Sequence, residues 1–180
     1  VTFDQLTIQN INKNNGFIFT LGHEPQYKAI YDVIFTQCNF LNCRTNIENG
    51  DGGGLGFWCS DEKSIEFHEC LFQQLSAGTK GGAISFTMDA RRVHKTNISF
   101  TDCIFDQNTA NQAGSALYIN LTTGHLNIYR CNFTNNIVNT GNGGAVYICE
   151  KCTSVNIERT EFHSNTQNGA NSDGNAIYFQ

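Results

Sequence analysis

The side chains best equipped for chemistry in this 180-residue chain are 8 cysteines, 5 histidines and 16 carboxylates. Glycoside hydrolysis needs two carboxylates ~5–10 Å apart on one face, and polysaccharide lyases need an acidic cation-binding cluster beside a basic residue. Neither constellation stands out. The histidines are scattered, and no Ser, His and Asp share neighbouring outward positions as an acyl-transfer triad would require. The stretch Asn49 to Gly54, with Asp51, is loop-like. It lacks the repeated acidic residues that a calcium site of about six to eight oxygens demands. The sequence therefore nominates no catalytic residue, no metal site and no cofactor.

Cys38, Cys70, Cys103 and Cys131 fall at one recurring position. They are expected as buried thiols stacked like small hydrophobes, because in-register Cβ atoms about 4.8 Å apart are slightly too distant for an unstrained disulfide. Cys149 and Cys152, in the loop sequence Cys-Glu-Lys-Cys, form the candidate disulfide; zinc is disfavoured because no second ligand pair with the right spacing exists. Whether Cys43 and Cys59 pair is open.

Trp58, Tyr118, Tyr147 and Tyr178 are expected on the outward face of one strand column, interrupted by Ser85. This is the candidate ligand or partner face: it could bind sugar rings, pack against a neighbouring solenoid, or stack on itself to cover the sheet. Asn97, Asn120 and Asn132 head N-glycosylation sequons flanked by inward residues, so all three should face solvent. In a secreted eukaryotic chain they are the expected glycan sites, and a glycan at Asn120 would crowd Tyr118. Arg91, Arg92, His94 and Lys95 make a basic loop suited to an acidic glycan or partner. A corner series Gln37, Glu69, Asp102, Arg130 and Arg159 reads as a surface charge ladder.

The elements that position these groups follow from an internal repeat. Val1, Val33, Ile65, Ile98, Leu126 and Val155 each precede by two residues a second apolar position, at Phe3, Phe35, Phe67, Phe100, Ile128 and Ile157. A second strand holds Leu6, the four cysteines and Thr160, followed two residues later by Ile8, Phe40, Phe72, Phe105, Phe133 and Phe162. A third opens after Gly16, Gly56, Ala83, Ala116, Ala145 and Ala176, with inward pairs beginning Phe17/Phe19 and Phe57/Cys59 and ending Ile177/Phe179. Starts separated by 32, 32, 33, 28 and 29 residues put the length variation into loops. Period-two triplets between Gly- and Asn-rich turns exclude long helices. They predict an all-β, right-handed parallel β-helix of six coils with three short strands per coil, one domain over residues 1–180 and a fragment of a longer solenoid.

The Phe-x-x-Asn sequences at Phe105–Asn108, Phe133–Asn136 and Phe162–Asn165, with the Gly-Gly-Ala-apolar sequences at Gly81–Ile84 and Gly143–Val146, resemble the repeats of the polymorphic outer-membrane protein adhesins. That resemblance spans the chain and implies a surface-exposed autotransporter passenger. Cys43 and Leu75 replace the Asn in earlier repeats, and the Gly pair becomes Gly114-Ser115 and Gly174-Asn175.

A net charge of −5 gives no electrostatic reason to expect nucleic acid or an anionic membrane, and no apolar run approaches the ~20 residues of a membrane span. The expected function is a non-enzymatic extracellular or cell-surface repeat module: a stalk, adhesin passenger or filament subunit. Its expected partners are other copies or further coils of the same protein, or a cell-surface protein or glycan. The alternative is a pectate-lyase-like polysaccharide lyase or hydrolase, or a carbohydrate-binding module.

Overall fold

The computed structural model describes residues 1–13, 19–21, 32–45, 55–59, 63–88, 95–121, 123–149, 151–169 and 173–180. Every described element is a strand, and the strands form four parallel sheets, each six strands deep. Sheet A runs from Thr2–Asp4 through Val33–Thr36, Lys63–His68, Thr96–Thr101 and Gly124–Tyr129 to Ser154–Glu158. Sheet B starts at Thr7–Gln9 and ends at Glu161–His163, and sheet C starts at Asn12–Lys13 and ends at Thr166–Gln167. Sheet D contains Phe19–Leu21, Leu55–Cys59, Ile84–Met88, Leu117–Asn120, Val146–Ile148 and Ile177–Phe179. The chain passes once through A, B, C and D, and each such rung stacks in register on the next.

Four sheets replace the expected coils of three strands. The additional one, sheet C, has strands of only two residues, such as Arg44–Thr45 and Ile137–Val138. Two residues cannot display an alternation, so this sheet left no periodic signal. The register of sheet D also corrects two expected pairings. Leu55 and Phe57 align with Ile84 and Phe86, and Phe19 aligns with Leu55. The inward pair of the second rung is thus Leu55/Phe57, displaced by two residues from expectation, and in the first rung Phe19 and Leu21 take the register positions of Leu55 and Phe57. Gly56 was mistaken for the small residue that precedes the triplet because a run of glycines offers several candidates; Phe17 lies outside the described residues.

Parallel in-register stacking turns the inward side chains into continuous columns. Phe3, Phe35, Phe67 and Phe100 stack with centroid separations of 4.8, 4.9 and 4.8 Å. In sheet B, Phe40, Phe72, Phe105, Phe133 and Phe162 do the same at 5.1, 4.7, 4.6 and 4.8 Å. The columns meet edge to face, as in Phe67 against Phe72 at 5.7 Å and 73°. Each buried Phe contributes about 1.5–3 kcal/mol from area alone, and each favourable ring pair about 0.5–1.5 kcal/mol more.

The corners need a left-handed backbone. Gln37, Glu69, Asp102, Arg130 and Arg159 leave sheet A with φ between 51° and 55°, a region uncommon for non-glycine residues. The turn is held because the corner amides of Gln37, Glu69, Asp102 and Arg130 stay in the ladder: Gln37 N donates to His68 O at 2.9 Å, and Arg130 N to Glu158 O at 3.0 Å. Before sheet D the corner is glycine. At Gly114, φ is 54° and a Cβ would lie 2.1 Å from Leu117 O, so no other residue fits.

Between sheets B and C, Asn108, Asn136 and Asn165 form a buried amide ladder. Asn136 Oδ1 accepts from Asn108 N at 3.1 Å and from Asn108 Nδ2 at 3.0 Å. Its own Nδ2 donates to Phe105 O at 2.9 Å and to Asn165 Oδ1 at 2.9 Å. The ladder reaches Leu75, whose amide donates to Asn108 Oδ1 at 3.0 Å. Such side chains satisfy backbone groups that a sharp corner removes from the sheet.

Replacing Asn136 by Ala should strip partners from Asn108 N and Phe105 O together and cost about 2–4 kcal/mol. The change reads as a large drop in the denaturant midpoint, followed by circular dichroism; a shift no greater than that of an exposed Asn168→Ala control would refute the ladder's role.

Candidate functional site

The outward face of sheet D carries the predicted aromatic column. Tyr118 stacks on Tyr147 at 5.2 Å and 27°, and Tyr147 on Tyr178 at 5.2 Å and 29°. Tyr147 Oη donates to Gln180 Oε1 at 2.5 Å, and burial raises its phenol above the ordinary value, with the neighbouring Cys149 and Tyr178 adding to the effect. Trp58 does not belong to this column. The partners of the tyrosine position are Ser85 and then Gly56, whereas Trp58 pairs with Thr87, two residues further along. Stacking of each ring on the next uses ring faces that a sugar would need, so the column is first a cover for the sheet.

Lys80 extends this face. Its Nζ lies 4.9 Å from the centroid of Tyr118 and donates to the phenol oxygen at 3.4 Å. On the strand paired with that of Tyr118, Ser85 Oγ and Thr87 Oγ1 are sealed from solvent without a hydrogen-bond partner. The sequence showed Ser85 only as an interruption; the signal that could have flagged it is two hydroxyl residues at successive outward positions of a strand bordered by aromatics.

The sequon residues all sit on outward positions of strands. Asn97 is exposed, while Asn120 and Asn132 are half-buried. Thr134 Oγ1 donates to Asn132 Oδ1 at 2.8 Å within its sequon, and Thr122 lies outside the described residues.

The thiol column is as expected. Cys38, Cys70, Cys103 and Cys131 are buried, and each donates to the carbonyl two residues earlier, at 3.3 Å for Cys70 and 3.4 Å for Cys103. Burial pushes the Cys103 thiol well up, and contacts with Cys131 and Cys70 add to that. The expected bridge between Cys149 and Cys152 is not formed; both are thiols. Cys152 N donates to Cys149 O at 3.3 Å to close a turn, while Cys152 Sγ is directed to Gly124 O at 3.8 Å and Ser154 O at 3.7 Å instead of toward a sulfur. Cys43 is likewise a buried thiol, directed to Leu41 O at 3.2 Å.

On sheet A, Ser64, Glu66 and His68 share the outward face. Ser64 Oγ donates to Glu66 Oε1 at 3.1 Å, and His68 Nε2 lies 3.2 Å from Glu66 Oε2. The carboxylate stands between hydroxyl and imidazole, so the imidazole does not receive the serine proton and the order is wrong for a nucleophilic triad. The corner residues form the expected charge ladder with a refinement. Glu69 turns to Gln37 at 2.9 Å, while Asp102 takes Arg130 Nε at 2.7 Å and its second nitrogen at 2.5 Å. Arg130 and Arg159 both lie over the Tyr129 ring, at 4.7 and 5.7 Å. Among the described residues no group of three His, Cys, Asp or Glu is placed to hold a metal ion, and no helix is long and apolar enough to cross a membrane. Arg91, Arg92, His94 and the Asn49–Gly54 stretch lie outside the described residues.

Residues 130–149 run from the Arg130 corner through the Asn136 rung and the Gly143-Gly144-Ala145 turn to Cys149. That segment matches the Chlamydia polymorphic membrane protein repeat. That one segment is similar to a repeat of this family. The match joins the Phe-x-x-Asn and Gly-Gly-Ala parts of the unit in one segment, as the resemblance requires, and the other rungs repeat its geometry. Comparison with curated proteins and with solved structures finds no match. The family's description places these repeats in membrane proteins of Chlamydia.

Two outcomes follow. The hydrogen bonds from Arg130 hold the Asp102 carboxyl below its ordinary value. A depressed folded value means that the pair's contribution is complete above about pH 4 and is lost as pH falls through the folded value. Thermal melts of the native protein and of Asp102→Asn should therefore differ slightly near neutrality and converge in acid; a difference that grows in acid would contradict the assignment. With iodoacetamide under native conditions, Cys149 and Cys152, which are partly exposed, should alkylate well before the buried column. Peptide mass spectrometry reads the order, and equal rates would show that the column opens readily.

Proposed function

We propose that the chain is a non-enzymatic repeat module of an extracellular or cell-surface protein, serving as a stalk, adhesin passenger or filament subunit. The observation that carries this reading is the set of unbroken ladders, through four sheets each six strands deep, in a chain with a segment matching a repeat of membrane proteins. Stacked rungs make a stiff rod whose length grows with repeat number, which suits holding binding groups away from a surface. The groups with chemical potential are engaged in supporting that rod: thiols bond backbone carbonyls, tyrosines cover a sheet, and the corner carboxylates pair along the axis.

The partners this reading calls for are further coils or other copies of the same protein, whose strand edges meet by the same ladder, or a cell-surface protein or glycan. In a eukaryotic secretory pathway, Asn97, Asn120 and Asn132 are the acceptors of glycans, and their outward placement supports that assignment. Among the described residues, the polysaccharide lyase or hydrolase reading would draw on Glu66, whose carboxylate is engaged by Ser64 and His68.

Beads coated with the folded protein should adhere to cultured epithelial cells or to mucin-coated glass more than beads bearing the heat-unfolded chain. The same preparation should release no reducing ends or unsaturated products from polysaccharides. Polysaccharide cleavage abolished by Glu66→Gln would replace the module by an enzyme, and adhesion indifferent to folding would remove the adhesive role.

A further inference from the structure

Along the strand Ile84–Met88, alternation turns Ile84 and Phe86 into the core and Ser85 and Thr87 away from it. A residue on the outer face of a solenoid normally bonds to water. Ser85 is nevertheless fully buried, and its Oγ and Thr87 Oγ1 have neither solvent nor partner. Buried polar groups in folded proteins are overwhelmingly hydrogen-bonded, and an exception calls for a physical cause. Two such hydroxyls stand on the same face of one strand, at Ser85 and Thr87.

The surroundings define its chemistry. Ser85 is in register with Tyr118 on one side and Gly56 on the other, so the outer surface steps from a phenol ring to a hydroxymethyl to a bare backbone. Tyr147 stacks against Tyr118 from the rung below. Lys80, from the rung above, holds its ammonium over that ring, 4.9 Å from the centroid. It bonds only the phenol oxygen, at 3.4 Å, and has no carboxylate partner among the described residues. On a chain of net charge −5, a cation without a counter-ion beside two unsatisfied hydroxyls is suited to an anionic, hydroxyl-rich ligand.

We propose that Ser85, Thr87, Tyr118 and Lys80 form a binding site for a saccharide ring bearing a carboxylate, such as a glucuronate residue of an acidic glycan. The Ser85 and Thr87 hydroxyls bond the ring hydroxyls, Lys80 takes the carboxylate, and Tyr118 flanks the apolar side of the ring. Lys80 is half-buried on a flexible four-carbon stem; its swing away from Tyr118 would free that side of the ring, and entry of the ligand also requires displacing the groups that seal the Ser85 and Thr87 hydroxyls. The site does not depend on the chain being a surface module. It is equally a property of the isolated fold, so its failure would leave that reading standing.

Isothermal titration of the whole chain with a hyaluronan octasaccharide, and with the neutral chitohexaose as control, tests it. Hyaluronan should bind at least about tenfold more tightly than the neutral sugar. Ser85→Ala and Lys80→Met should each weaken binding about fivefold or more. Ser85→Ala should at the same time raise the melting temperature of the unliganded protein, because an unsatisfied donor is removed; a hydroxyl with only a structural role would lower it and leave binding alone. No binding at millimolar hyaluronan, equal binding of chitohexaose, or affinity unchanged in both variants would each overturn the site.

Discussion

In-register parallel stacking is the constraint on which everything else in this molecule depends. Because each rung repeats the path of the one before, a side chain meets the residue at its own position one rung away, about 4.8 Å distant. Position by position, the sequence must therefore tolerate its own likeness. Phenylalanine does so by stacking near that spacing, as Phe105 does on Phe133 at 4.6 Å. Asparagine does so because its amide carries a donor and an acceptor in one plane, letting Asn108, Asn136 and Asn165 repeat the same bond along the axis. Cysteine does so as a small apolar group whose weak donor finds a carbonyl on its own strand.

The same constraint explains which parts of the fold were legible. Columns of apolar residues spaced by two can be read from the chain because stacking demands them in every rung, and the registers of sheets A and B, such as Phe3 with Phe35 and Ile8 with Phe40, follow from them, while the cysteine column falls just before the sheet B strands. Sheet C was missed because its strands, such as Ser76–Ala77 and Thr109–Ala110, hold one inward residue each. The slip in sheet D came from glycine: Gly56 occupies an outward strand position, aligned with Ser85, yet in sequence it looks like the small corner residue found before other triplets. Trp58 was thereby assigned to the tyrosine column. A side-chain pattern fixes register only where both alternating faces differ in character, and Leu55-Gly56-Phe57-Trp58-Cys59 is apolar or small throughout.

The candidate site was less legible than the fold because its informative features are relations across rungs. That Lys80 caps Tyr118 depends on a loop residue of one rung reaching a strand residue of the next. That Ser85 and Thr87 lack partners depends on what surrounds them in space. The cysteines show the converse. Their shared column was visible in sequence, and from it alone the buried thiol state followed, whereas Cys149 and Cys152 are adjacent in sequence without being joined. A turn that brings two backbones together, as the bond from Cys152 N to Cys149 O does, does not by itself aim two sulfurs at each other.

Charge is where stacking of like on like becomes costly, since two identical ions one rung apart repel. The corner column resolves this by changing its residues along the axis. Gln5 donates to Gln37 and Gln37 to Glu69, so neutral amides lead up to the first carboxylate. Asp102, one rung beyond Glu69, turns the other way and is neutralised by Arg130. Arg159 follows Arg130, and the two guanidinium groups share the face of Tyr129, whose ring offers negative charge density to both. The left-handed backbone at every one of these corners is the same, yet the side chains run amide, amide, acid, acid, base, base. Outward positions are thus free of the demand for likeness that governs the core, provided neighbours are electrostatically matched. Variation of surface chemistry on a constant scaffold is therefore available at the corners and on the outer faces, which is where a repeat protein must place whatever distinguishes one partner from another.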